Sequence, residues 1–111
     1  MEYSFAAASL AALGHEGRLA IYRLLVAAGP DGVSAGDIAR HMKSPPSTTT
    51  ANLGVLSKAG LTRSRREGRS IIYSADFAAM TGLLNFMMAD CCGGKPEICA
   101  PLSDVAACGT R

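Results

Sequence analysis

Residues 43–74 constrain this chain more than any other stretch, because their punctuation leaves few folds open. Pro45 and Pro46 interrupt whatever precedes them, yet proline is tolerated in a helix's first turn, where its missing N–H would have no intrahelical partner. With Ser44 as the expected cap, a helix follows over residues 47–59. Thr49, Leu53 and Leu56 share one of its faces, while Ser47, Thr48, Ala51, Val55 and Lys58 lie on the opposite side. Gly60-Leu61 ends it. Residues 61–66 and 69–74 then form two extended runs around Glu67-Gly68, the second β-branched and aromatic in Ser70-Ile71-Ile72-Tyr73, which predicts a β-hairpin.

The preceding segment has the matching half of a motif. Ser34 is an expected N-cap, with Asp37 in the place of the usual Glu of a capping box, and Ala35, Ile38, Ala39 and Met42 form a short apolar stripe. Two short helices joined by a tight turn, the second offering small hydroxylated groups from its N-terminal end, make the helix-turn-helix pattern, and a basic hairpin directly after it is a wing. Upstream, residues 3–13 predict an alanine- and leucine-rich helix, and a second starts near His15 with Ile21, Leu24, Leu25 and Ala28 facing inward. It stops at Gly29-Pro30-Asp31-Gly32, and a loop leads to Ser34. The last helix, capped by Asp76 or Ser74, carries Phe77, Met80, Leu83, Leu84, Met87 and Met88 on one wide apolar face, read as a dimer surface shared with the first helix. The expected fold class is mainly α with a small β-hairpin, a homodimeric winged helix-turn-helix, with an ordinary helical pair as the alternative reading of the two short helices. Residues 1–90 are expected to form a DNA-binding and dimerisation domain and residues 91–111 a cysteine-containing, metalloid-binding tail.

Charge supports a polyanionic partner. The chain's net charge is +2, but residues 61–70 hold Arg63, Arg65, Arg66 and Arg69 against Glu67 alone, a local +3. Clustered guanidinium groups are what phosphate contact requires, with a solvated surface run as the alternative. Residues 5–13 are apolar but lack a basic leader and are too short to span a bilayer, so no membrane role and a cytoplasmic location are expected. Catalysis finds no support: His15-Glu16 lacks a second histidine at zincin spacing, no glycine-rich phosphate loop occurs, and neither His15 nor His41 has an evident nucleophile beside it.

The four cysteines are Cys91, Cys92, Cys99 and Cys108, all in the last fifth of the chain. They staple nothing in the body, so a reducing compartment and a thiol site are expected rather than an oxidised scaffold. Two further readings stay open, a zinc or cadmium site and a thiol redox sensor. The spacing departs from the usual paired zinc pattern, and a helix C-terminus disfavours the thiolate that redox sensing needs.

Three stretches resemble the ArsR/SmtB family of winged-helix repressors: Leu13-Gly14-His15-Glu16-Gly17-Arg18-Leu19, the run from Ser47-Thr48-Thr49-Thr50 through Leu53 and Leu56 to Ala59-Gly60-Leu61, and Arg63-Ser64-Arg65-Arg66-Glu67-Gly68-Arg69. The likeness spans residues 5–90. It implies a homodimer that binds double-stranded operator DNA and releases it when a metal or metalloid binds. Residues 33–38 contain no thiol and residues 81–90 no histidine, so the family's third-helix arsenic site and last-helix zinc site do not carry over. The C-terminal cluster looks like that of the subgroup whose vicinal cysteine pair and nearby third cysteine bind trivalent arsenic, which implies Cys91, Cys92 and Cys99 as ligands.

The chemistry suits those residues. As(III), and Sb(III) as a second candidate, is soft and thiophilic and is satisfied by three converging thiolates, with no organic cofactor. Gly93-Gly94 permits a reversal and Pro96 stiffens the return towards Cys99. On the DNA side, Ser47, Thr48, Thr50 and Asn52 are expected at base edges or phosphates, and Arg65, Arg66 and Arg69 on the backbone or in a minor groove.

Overall fold

The computed structural model describes residues 1–89, so Cys91, Cys92, Cys99 and Cys108 lie outside the described residues. Five α-helices and a small sheet succeed one another as α1 (Tyr3–Leu13), α2 (Glu16–Ala28), a 3-10 turn (Gly29–Asp31), β1 (Val33–Ser34), α3 (Ala35–Met42), α4 (Pro46–Lys58), β2 (Thr62–Glu67), β3 (Ser70–Ala75) and α5 (Phe77–Met88). Among the described residues no helix is long and apolar enough to cross a membrane.

The core gathers where α2, α3, α4 and the sheet meet. Ile21, Leu25, Ile38, Leu53, Leu56 and Leu61 are almost wholly buried there, and each such side chain contributes about 1.5–3 kcal/mol through burial. The α2 stripe is narrower than expected: Ala28 is exposed, because the helix ends there, while Leu24 packs against the edge of the core. α1 buries only Ala6, Ser9 and Ala12, and its last turn is held to α2 by Arg18, whose Nε donates to the Ala12 carbonyl at 2.6 Å.

Caps explain the helix starts. His15 caps α2, its Nδ1 accepting from Gly17 N at 3.1 Å and Arg18 N at 3.4 Å. Ser34 Oγ accepts from Asp37 N at 3.2 Å, but the expected reciprocal half of the box is missing because the Asp37 carboxylate pairs with Arg40 instead. The α4 start corrects another expectation. Pro45, not Ser44, is the N-cap, since a residue preceding proline is driven to extended backbone and Pro45 precedes Pro46 (φ −58°, ψ 144°). Ser44 Oγ turns back to the Met42 carbonyl. Of the two caps considered for α5, Asp76 is the one used, accepting from Ala79 N at 3.0 Å.

The sheet has the order β1-β3-β2, antiparallel throughout. β1 replaces part of the expected loop: Val33 pairs with Tyr73 and Ser34 with Ile72, making a third strand too short to show alternation. The hairpin register also shifts by one residue. Glu67 pairs with Ser70, so the two-residue turn is Gly68-Arg69, with Gly68 at φ 61° as a turn needing positive φ at its first central position demands. Arg69 therefore stands at the wing tip.

Candidate nucleic-acid interface

α3 and α4 are joined by Lys43-Ser44-Pro45, a tight turn in which Lys43 adopts left-handed backbone (φ 54°) and Ser44 N reaches the Ala39 carbonyl at 3.1 Å. Beyond the turn, Ser47, Thr48 and Thr50 are exposed at the start of α4, whereas Thr49 points into the core and is 1% exposed, in line with the helical spacing. Asn52 sits apart from those three. It is half-buried against the start of α2, its amide nitrogen 3.4 Å from where a Cβ on Gly17 would stand.

The wing grows directly from α4. Ser57 and Thr62 hydroxyls hydrogen-bond at 2.8 Å across the junction. Alternation along β2 sends Arg63, Arg65 and Glu67 to one face and Ser64 and Arg66 to the other. The first set is internally compensated: Arg63 pairs with Asp76 at 3.3 Å, and Arg65 Nε donates to Glu67 Oε2 at 2.7 Å while its Nη2 donates to the Asp31 carbonyl at 2.8 Å. Arg66 and Arg69 are exposed and make no ion pair among the described residues. The sequence-level +3 is thus distributed as two compensated arginines at the base and middle of the wing and two uncompensated ones at its end. The Asp31 and Asp76 anchors leave no local trace in the sequence, whereas period-two alternation puts Arg63, Arg65 and Glu67 together.

A groove of about 470 Å³ lies between the 3-10 turn, the outer face of the sheet and the start of α5, edged by Pro30, Arg63, Arg65, Ser74, Asp76 and Phe77. Behind Asp76, Tyr22 is buried with its hydroxyl unpartnered among the described residues; burial, and secondarily the Asp76 charge, pushes its phenol up to about 12.

A helix-turn-helix domain family matches residues 13–65, from the end of α1 to the middle of β2. No curated protein matches the chain. Among solved structures, an ArsR-like transcriptional regulator from Rhodococcus sp. RHA1 aligns with TM-score 0.68 and 25% identity over 96% of this chain and 90% of its own. HlyU from Vibrio cholerae N16961 aligns with TM-score 0.62 and 26% identity over 78% and 97%. Mb0332 from Mycobacterium bovis, whose residues 1–100 are described as a homodimeric winged helix-turn-helix DNA-binding domain of a possible ArsR-family transcriptional regulator, is 31% identical over 78% of this chain and 80% of its own, with TM-score 0.63. The chain belongs to the ArsR family. In this ArsR-family regulator, α3, α4 and the β2–β3 wing are the winged helix-turn-helix, and α1, α2 and α5 are its helical support.

Among the described residues of this ArsR-family regulator, no group of three or more His, Cys, Asp or Glu side chains converges as a metal site requires. The cysteines expected to form one lie beyond Ala89.

Proposed function

We propose that this protein is a repressor that grips operator DNA as a homodimer and lets go when trivalent arsenic binds Cys91, Cys92 and Cys99. One observation carries the reading: three thiols fall within nine residues immediately after α5, on a chain whose family regulates transcription. Three thiolates are the complete donor set for a pyramidal, soft As(III) or Sb(III), with no other ligand needed.

α1 and α5 leave an apolar surface uncovered, which supports the dimer. Tyr3 packs edge-on to Phe86 at 5.1 Å, so the two helices run together, yet Tyr3, Phe5 and Met87 remain 84%, 64% and 52% exposed. Apolar surface of that kind is what a second subunit covers. The two α4 helices must then stand about 34 Å apart to enter successive major-groove turns, with Ser47, Thr48 and Thr50 towards the DNA, Asn52 at the inner edge, and the uncompensated wing arginines Arg66 and Arg69 supplying charge. A site that follows α5 in the sequence would act on that spacing through the dimer, with a coupling of about 1–3 kcal/mol as allosteric pairs usually show.

The test is an operator gel shift with arsenite, antimonite, zinc, cadmium and peroxide added in turn. Release by arsenite or antimonite alone supports the reading; release by zinc or cadmium alone replaces it with divalent-metal sensing, and release by peroxide alone replaces it with thiol oxidation.

A further inference from the structure

The wing arginines Arg65, Arg66 and Arg69 are alike as charges on a DNA-binding hairpin, but their surroundings separate them, and the separation rests on the DNA-binding function proposed for the wing. Arg65 is the one whose guanidinium is spoken for twice. One bond ties it to Glu67 near the wing tip, and the other reaches the carbonyl of Asp31, thirty-four residues earlier. Asp31 closes the 3-10 turn that runs through Gly32 into β1 and, from Ser34, into α3. In the sheet Arg65 stands opposite Ile72, and Ile72 opposite Ser34, so this side chain spans all three strands to the corner that feeds the first helix of the helix-turn-helix. A planar fork with donors pointing in divergent directions can hold both acceptors at once; an ammonium on a flexible stem cannot do so with the same preorganisation.

We propose that Arg65 is a positioning residue that fixes the tilt of the wing against the α3–α4 pair, and that Arg66 and Arg69 deliver the charge to the phosphates. Glu67 then belongs to the DNA-binding apparatus even though its sign is wrong for DNA. That gives opposite expectations for one substitution. A carboxylate on a DNA-facing hairpin repels phosphate, so deleting it should tighten binding on charge grounds alone. If Glu67 holds Arg65, deleting it weakens binding instead.

The experiment measures the full chain's affinity for a mixed-sequence DNA duplex across a salt series, for the unmodified protein, Glu67→Ala, Arg65→Lys, Arg65→Ala, the double Arg65→Ala/Glu67→Ala and Arg69→Ala, with thermal midpoints taken alongside. Glu67→Ala is expected to weaken binding about two- to fivefold, the range an exposed charge pair supports. Arg65→Lys, which keeps the charge, should fall as far as Arg65→Ala, and the double variant no further. Tighter binding by Glu67→Ala, or unmodified affinity in Arg65→Lys, overturns the proposal. Arg69→Ala tells the two readings apart: a salt slope smaller by about 0.9 upholds the wing as a phosphate contact whichever way Glu67→Ala goes, and no change at all in Arg69→Ala overturns both.

Discussion

Gly32 offers a severe test of how the wing is seated. Gly29 and Gly32 bracket the 3-10 turn with nearly the same backbone, φ 79°, ψ −165° and φ 77°, ψ −172°, a region open in practice only to glycine. Their surroundings differ. A Cβ on Gly29 would meet nothing within 4 Å, whereas one on Gly32 would overlap the Tyr73 carbonyl oxygen and stand 2.9 Å from Ile72 Cγ2. Gly29→Ala therefore incurs backbone strain alone, about 1–3 kcal/mol. Gly32→Ala incurs that and must also push β1 off β3, adding about 1–3 kcal/mol as overpacking usually does. The difference between the two variants isolates the close approach of the corner to the sheet. Urea unfolding monitored by circular dichroism at one fixed protein concentration measures it, with each kcal/mol worth about 4–8 °C in a parallel thermal scan. Because the corner carries Asp31, Gly32→Ala should also weaken duplex binding while Gly29→Ala weakens it less. Equal destabilisation by the two substitutions would refute the clamping of the 3-10 turn to the wing.

Other residues carry predictions of their own. Tyr22→Phe removes a buried hydroxyl with no partner among the described residues, so it should leave stability unchanged or raise it by up to about 1 kcal/mol, measured by the same unfolding assay. The phenol also sets a pH dependence: the folded protein keeps the proton up to about 12 while the unfolded chain loses it near 10.0, so this contribution to stability is intact below 10.0 and disappears as pH rises from there towards 12. Tyr22→Phe should flatten that decline, and an unchanged alkaline profile would contradict it. Ser34→Ala deletes the α3 cap and should cost about 1 kcal/mol, with Ser34→Asp restoring most of it in denaturant midpoints.

Much of the fold is legible because proline and glycine mark its joints. Pro45-Pro46, Gly60 and Gly68 bound α4 and the wing, and the i, i+3, i+4 spacing of Ile21, Leu24 and Leu25 marks the inward side of α2. β1 leaves no such trace because two residues cannot display alternation. Ser44 has the look of a cap because a serine before a helix usually is one; the second proline decides otherwise by forcing Pro45 extended. The apolar face of α5 is plain in the sequence, but its burial is not: Leu83 alone is fully buried, Phe77 and Met80 pack at the core's edge, and Met87 is exposed. At the candidate interface, Ser47, Thr48 and Thr50 emerge where the helical period puts them. Asn52 and Arg65 differ because their settings depend on residues far away in sequence, Gly17 and Asp31, which no local pattern links to them.

Capture of a thiophilic ion by three cysteines should be felt as loss of DNA. The most direct measurement is fluorescence anisotropy of a labelled operator duplex titrated with arsenite, for the unmodified protein and for Cys91→Ser, Cys92→Ser and Cys99→Ser. Arsenite is expected to release the unmodified protein and to leave each serine variant on the duplex with its ion-free affinity unaltered. Arsenite-driven release that persists undiminished in all three variants would contradict the proposed coupling.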